Sequence, residues 1–236
     1  DWIFPIKEHF KLTDKFLDEY KNKEVKWGPI GYVTYKRNYA RFLPKENRNE
    51  DWWETVRRVV EGTYTVQINH CKNLKLPWNQ YKSQKSAQQM YDLIFNFKFL
   101  PPGRGLFAMG TDLIYMKGGA ALNNCAMCST EELEYNFSYP FKWLADMSLF
   151  GVGVAFDTKG AGKVKIQEPK ISEETYVVED SKEGWCDLIE LILDSYVHKS
   201  KMPKEIDYSQ IRPDGSPIKT FGGTAPGPGP LIRCVD

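Results

Sequence analysis

A pair of prolines at 101 and 102 constrains this chain more than any other feature, because the sequence changes character there. Before it, apolar residues recur at helical spacing; after it, glycine cuts the chain into short apolar pieces. Proline lacks an N–H and pushes the residue before it out of the helical region, so no helix runs through the pair. The expected organisation is a mostly helical region over 1–100 followed by an α/β region over 101–236.

In the first region, Ile6, Phe10, Phe16, Leu17 and Tyr20 fall near helical spacing, and Thr13-Asp14 can start a helix running towards Asn22. The stretch from Trp27 to Pro44, with turn residues first and β-branched and aromatic ones after, reads as an extended or irregular arm. Trp52, Val56, Val59 and Val60 define a helix with Glu50, Asp51 and Glu54 at its positive end and Gly62 expected as its C-cap. Ala87, Met90, Tyr91 and Ile94 define another.

Beyond the prolines, Gly105-Leu-Phe-Ala-Met-Gly110, the run Gly118 to Met127, and Gly151-Val-Gly-Val-Ala-Phe156 read as short buried strands. Pro140, Phe141, Leu144, Ala145 and Ser148 outline a helix between the last two, so strand, helix, strand implies a crossover between parallel strands. A further helix is expected from Glu183 to about His198, carrying Trp185, Leu188, Ile189, Ile192 and Tyr196 on one face, with Asp180 and Glu183 as a capping box. The tail Gly222 to Pro230 reads as a loop.

The 236 residues are 42% hydrophobic and 14% aromatic, enough to bury a core, and a formal charge of +1 gives no long-range attraction for polyanions. Nucleic acid is therefore not an expected partner. No apolar run approaches the roughly 20 residues of a membrane span, and Asp1-Trp2-Ile3-Phe4-Pro5 does not open like a secretion signal. A cytoplasmic location is the expectation.

Five scattered cysteines, at 71, 125, 128, 186 and 234, do not suit a disulfide-stapled domain. Asn123-Asn124-Cys125 places a thiol at the end of an apolar strand, where sheet proteins commonly face a ligand; a buried core cysteine is the alternative. Cys125 and Cys128 also form a C-x-x-C pair. Zinc would require further ligands, and the remaining cysteines and histidines offer no second paired motif, so no metal site is expected. A strand continuing through both positions would turn the two sulfurs to opposite faces. The Gly222–Pro230 and Gly151-Val-Gly-Val segments lack the context of phosphate-binding loops. Lys36-Arg37 and Arg57-Arg58 could meet a phosphate, although a solvated helix face accounts for them as well.

A collinear set of residues resembles the monomeric, adenosylcobalamin-dependent ribonucleoside triphosphate reductases. It comprises Trp27-Gly28, Gly31, Val33-Thr-Tyr-Lys-Arg37, Tyr39-Ala-Arg41, Leu43-Pro44, Glu54-Thr-Val56, Arg58-Val-Val-Glu-Gly62, Pro102-Gly-Arg104, Gly110-Thr-Asp112 and Leu122-Asn-Asn-Cys125. It continues through Gly151, Gly153-Val154, Glu183-Gly-Trp185, Ile211-Arg-Pro213, Phe221-Gly-Gly-Thr-Ala225 and Gly227-Pro228.

The resemblance implies a helical N-terminal region followed by the first part of a ten-stranded α/β barrel, the remainder of the reductase lying downstream. It also implies that Cys125 is one of two thiols that reduce the substrate, and that Pro101, Pro102, Gly103, Arg104, Asn123 and Asn124 line the ribose and phosphate side of the nucleotide. Adenosylcobalamin is the implied cofactor, with no ligand to it identifiable here. A ribonucleoside triphosphate substrate, a deoxyribonucleoside triphosphate effector and a thioredoxin-like or small dithiol reductant are the implied partners. Two other readings stay open: a non-catalytic nucleotide- or partner-binding remnant of the fold, and a stand-alone C-x-x-C thiol oxidoreductase.

Overall fold

A computed structural model describes residues 5–218 and 223–235; the expectations placed on residues 1–4 and on Phe221 and Gly222 lie outside these. The chain forms two compact units, Asp1–Leu122 and Asn123–Asp236. The first therefore extends past the proline pair.

The first unit holds helices α1 (Asp14–Lys21) and α2 (Gly31–Asn38), a two-residue hairpin pair β1 (Phe42–Leu43) and β2 (Arg48–Asn49), and helices α3 (Trp52–Asn73), α4 (Gln80–Phe95), α5 (Gly103–Ala108) and α6 (Asp112–Lys117). A 3₁₀ turn, Gly119–Leu122, closes it. At its centre Val56, Val59, Val60 and Tyr64 of α3 pack with Ala87, Tyr91, Ile94 and Phe95 of α4 and with Leu17 and Tyr20 of α1. These are positions that the 3.6-residue period assigns to one face. The start of α3 is fixed by Glu54, whose carboxylate accepts the Asp51 amide at 2.8 Å.

Three expectations for this unit are corrected. The arm expected over Trp27–Pro44 contains α2: Tyr35 is buried, stacks on Trp27 with centroids 5.0 Å apart, and donates its hydroxyl to the Glu50 carbonyl at 3.0 Å. This tertiary anchor outweighs the strand preference of Val33 and Thr34. Gly62 lies inside α3 and is not its C-cap. A Cβ there would stand 2.4 Å from the Cα of Gly110, so glycine is needed for close approach of two backbones. Finally, Gly105 to Gly110, expected as a strand, forms most of α5 and the turn after it.

The second unit holds β3 (Cys125–Cys128), α7 (Tyr139–Leu149), β4 (Gly153–Phe156), β5 (Thr175–Val177), α8 (Lys182–Ser195), β6 (Glu205–Asp207) and α9 (Gly229–Val235). Strands β3 and β4 are parallel, with Cys125 opposite Gly153 and Cys128 opposite Phe156, and α7 makes the crossover. The strand–helix–strand order holds, although neither strand is buried as expected and the Gly118–Met127 run is strand only from Cys125 onwards, beginning as the 3₁₀ turn. Strands β5 and β6 form a second parallel pair. Beside it Val178, Leu188, Ile211 and Leu231 make a small core.

Helix α8 is capped by Ser181, whose hydroxyl accepts the Gly184 amide at 2.9 Å, rather than by Asp180 with Glu183. Asp180 instead accepts Arg212 Nε at 2.8 Å. Gly229 and Pro230, expected in a loop, open α9; proline is tolerated in a first turn, and Leu231 behind it is buried. Among the described residues no helix is long and apolar enough to cross a membrane.

Candidate functional site

The residues singled out by sequence fall into the two units, each described by itself. Asn123, Asn124 and Cys125 belong to the second; Pro101, Pro102, Gly103 and Arg104 belong to the first.

Cys125 is exposed and is the first residue of β3, not its last. The strand is held from the outset, because the Gly153 amide donates to the Asn124 carbonyl at 2.9 Å. Gly153, which the sequence places in an expected strand and in the resemblance, is the cross-strand neighbour of Cys125. A Cβ at that position would stand 3.9 Å from Cys125 Sγ, an ordinary contact, so the absence of a side chain there leaves this flank of the thiol uncovered by residue 153. Asn123 and Asn124 are exposed beside it. The buried-cysteine alternative does not apply to Cys125.

Cys128 behaves differently. The strand runs unbroken through both cysteines, so their side chains leave opposite faces, and at about 3.3 Å per residue their Cα atoms are roughly 10 Å apart, beyond disulfide reach. Both thiols are free. Burial and then the charge of Asp157 push the Cys128 thiol up from its ordinary value, while burial pushes Cys186 in α8 up to about 11. Thiolate is the reactive form, so alkylation at pH 8 is expected to modify exposed Cys125 first, Cys128 more slowly, and Cys186 only on unfolding. Peptide mass mapping over a time course checks this order, and labelling of Cys128 ahead of Cys125 would contradict it.

Asp157, which the sequence did not single out, ties the far ends of β3 and β4. Its carboxylate accepts the Thr130 amide at 2.9 Å, Ser129 Oγ at 2.8 Å and Thr130 Oγ1 at 2.8 Å. The Thr130 amide first, and the Ser129 hydroxyl next, hold its carboxyl well below the usual carboxylate range. Thr130 is buried and takes the Gly160 amide at 2.9 Å, completing the clasp. A short polar residue following an apolar strand was the sole sequence signal.

In the first unit, Gly103 and Arg104 open α5, with Pro102 as N-cap. A Cβ on Gly103 would meet Tyr39 Oη at 3.0 Å, and one on Gly105 would meet Pro101 at 3.2 Å, so the turn is closely packed from two sides. Of the basic pairs, Arg57 Nε reaches Glu61 at 3.0 Å and Arg58 is partly buried against Glu50, which replaces the solvated-face alternative for Arg58. Lys36 donates to the Glu50 carbonyl at 2.8 Å. Among the described residues no group of three or more His, Cys, Asp or Glu side chains is placed to hold a metal ion.

Comparison with known proteins bears on both units. Residues 12–111 match the family model of the ribonucleotide reductase alpha domain, and residues 156–236 that of the B12-dependent ribonucleotide reductase insertion domain. The chain is 45% identical over 98% of its length to a probable adenosylcobalamin-dependent ribonucleoside-triphosphate reductase of Dictyostelium discoideum, and 43% identical over 97% to the adenosylcobalamin-dependent ribonucleoside-triphosphate reductase of Euglena gracilis. It spans about a third of those relatives, 33% and 32% respectively. A crystal structure of a B12-dependent (class II) ribonucleotide reductase superposes on 96% of the chain with a TM-score of 0.78 at 28% identity, 39% of that protein being covered. With two family models in sequence along it and a solved relative of the same fold, the chain belongs to the B12-dependent ribonucleotide reductase family and corresponds to the N-terminal portion of its large chain.

Proposed function

We propose that these residues supply one reducing thiol and part of the nucleotide-binding surface of an adenosylcobalamin-dependent ribonucleoside-triphosphate reductase, an oxidoreductase that makes deoxyribonucleotides. The observation that carries this reading is Cys125: it is exposed at the start of a parallel strand, with glycine across from it. Parallel strands are normally covered on both faces within wide sheets. Here the pair β3–β4 stands alone among the described residues, and Met127 and Phe156 are 66% and 58% exposed. Such edges suit further strands of a barrel that begins in the 101–236 region, after the helical region of 1–100. The same open edges count against a self-contained binding remnant. Opposite-facing sulfurs count against a C-x-x-C oxidoreductase.

In the proposed reaction the C2′–O bond of the ribose breaks and the oxygen departs as water, taking a proton from Cys125. A second thiol contributes the other hydrogen, which ends on C2′; the two sulfurs together lose two electrons and close a disulfide. A thioredoxin-like protein or a small dithiol reopens it by exchange. The cofactor, when bound, supplies the radical chemistry that makes this bond labile.

Among the described residues, open clefts of about 330 and 520 Å³ occur in the first and second units. No residue of this chain is assigned to the cofactor. Pro101, Pro102, Gly103, Arg104, Asn123 and Asn124 are proposed to contact the ribose and phosphates. A deoxyribonucleoside triphosphate effector and a cytoplasmic location complete the reading.

The test is to express these residues joined to the remainder of their coding region and supply a ribonucleoside triphosphate, adenosylcobalamin and a dithiol. Formation of the deoxyribonucleotide, dependent on all three, is expected. A folded protein that makes none would overturn the proposal.

A further inference from the structure

Helix α5 has six residues, too few to hold itself by its own hydrogen bonds, so its placement depends on what grips it. The grip at its C-terminal end is Arg58 of α3. Arg58 Nη1 donates to the Met109 carbonyl at 2.6 Å and Nη2 to the Leu106 carbonyl at 2.9 Å. The same guanidinium is paired with Glu50, Nε to Oε1 at 2.7 Å and Nη2 to Oε2 at 2.9 Å, and the two side chains are only 12% and 5% exposed. Glu50 is held in turn by Thr55 Oγ1 at 2.7 Å and the Arg41 amide at 3.1 Å.

A largely buried ion pair of this sort is seldom the most stabilising filling for its space, and its better-attested use is to fix geometry. We propose that Glu50 and Arg58 are positioning residues for nucleotide binding: they set α5 against α3 so that Gly103 and Arg104, at the opposite end of the same short helix, are presented to the phosphates of the substrate. The inference rests on the reading that this turn contacts the nucleotide. Only the planar five-donor fork of arginine can serve a carboxylate in two places and two carbonyls at once; a lysine ammonium keeps the charge and loses the geometry.

The test uses the full-length protein with adenosylcobalamin and a dithiol, and reads KM and kcat separately. Arg58→Lys is expected to raise KM for the ribonucleoside triphosphate about tenfold or more while kcat changes only a few-fold, because binding is disturbed and the thiol step is not. A purely structural role would lower the active fraction, giving a reduced kcat at unaltered KM, and that result overturns the proposal. Should Arg58→Lys not fold, Thr55→Val, which removes one donor to Glu50 and keeps the ion pair, is expected to shift KM in the same direction by a smaller factor; an unaltered KM again overturns it. Arg104→Ala separates the two levels of the argument. If it raises KM and Arg58→Lys does not, the positioning role alone fails; if it leaves KM unaltered, the nucleotide-binding reading of the turn fails and the inference with it.

Discussion

In the full-length protein, replacing Cys125 with serine is expected, on the proposed function, to abolish ribonucleotide reduction, with a loss on the order of 10³-fold or more and no comparable loss of folded protein. Serine matches cysteine closely in size and can still donate a hydrogen bond, so the first residue of β3 keeps its shape. What it cannot do is surrender electrons and close a disulfide. The position is exposed and flanked by Gly153, so the substitution meets no packing constraint that could produce the loss indirectly. Cys128→Ser is the internal control: it leaves the opposite face of the strand, and most activity should survive. Multiple-turnover assays with a chemical dithiol, together with circular dichroism, check both. Equal losses in the two variants would contradict the assignment of separate faces.

The second large effect is on stability. Gly62→Ala places a methyl group 2.4 Å from Gly110 Cα and 2.5 Å from Gly110 N, both backbone atoms that cannot rotate away. Forcing α3 and the α5–α6 turn apart costs on the order of 3 kcal/mol, of which the better helix propensity of alanine returns about 1. A net loss of about 2 kcal/mol lowers the Tm of this chain by roughly 4–8 °C. Gly28→Ala, where an added Cβ meets nothing within 4 Å, should leave it nearly unchanged. Thermal unfolding of the two variants side by side decides the matter: a Gly62→Ala protein as stable as the parent would mean that the backbones do not approach as described.

Much of this architecture is legible in the sequence wherever a period is sustained. Helices α1, α3, α4, α7 and α8 carry enough turns for their apolar stripes to be read, and the β3–α7–β4 crossover follows from two short apolar runs flanking one of them. Legibility fails where the deciding contact is distant in sequence. Val33-Thr-Tyr35 looks extended until the hydroxyl of Tyr35 is placed on Glu50 and Thr55. Gly105 to Gly110 looks like a strand because six residues show no helical period, and its conformation is settled by Arg58, 48 positions before Leu106. Gly62 resembles a terminator because glycine usually is one; that it faces Gly110 is not written locally.

The candidate site divides in the same way. Cys125 can be singled out because a thiol after two amides is unusual and the flanking residues fall in a family pattern. The Asp157 clasp carries no such mark, and although Arg58 falls in the same family pattern its pairing with Glu50 is not written locally, since each acts by bonding backbone groups supplied by remote segments.

A single turnover of the prereduced full-length protein, without added dithiol, tests the central claim most directly. After rapid quenching and blocking of free thiols, peptide mass mapping should find Cys125 in a disulfide with a cysteine other than Cys128, in an amount matching the deoxyribonucleotide formed. Deoxyribonucleotide formed while Cys125 is recovered as a free thiol would contradict it.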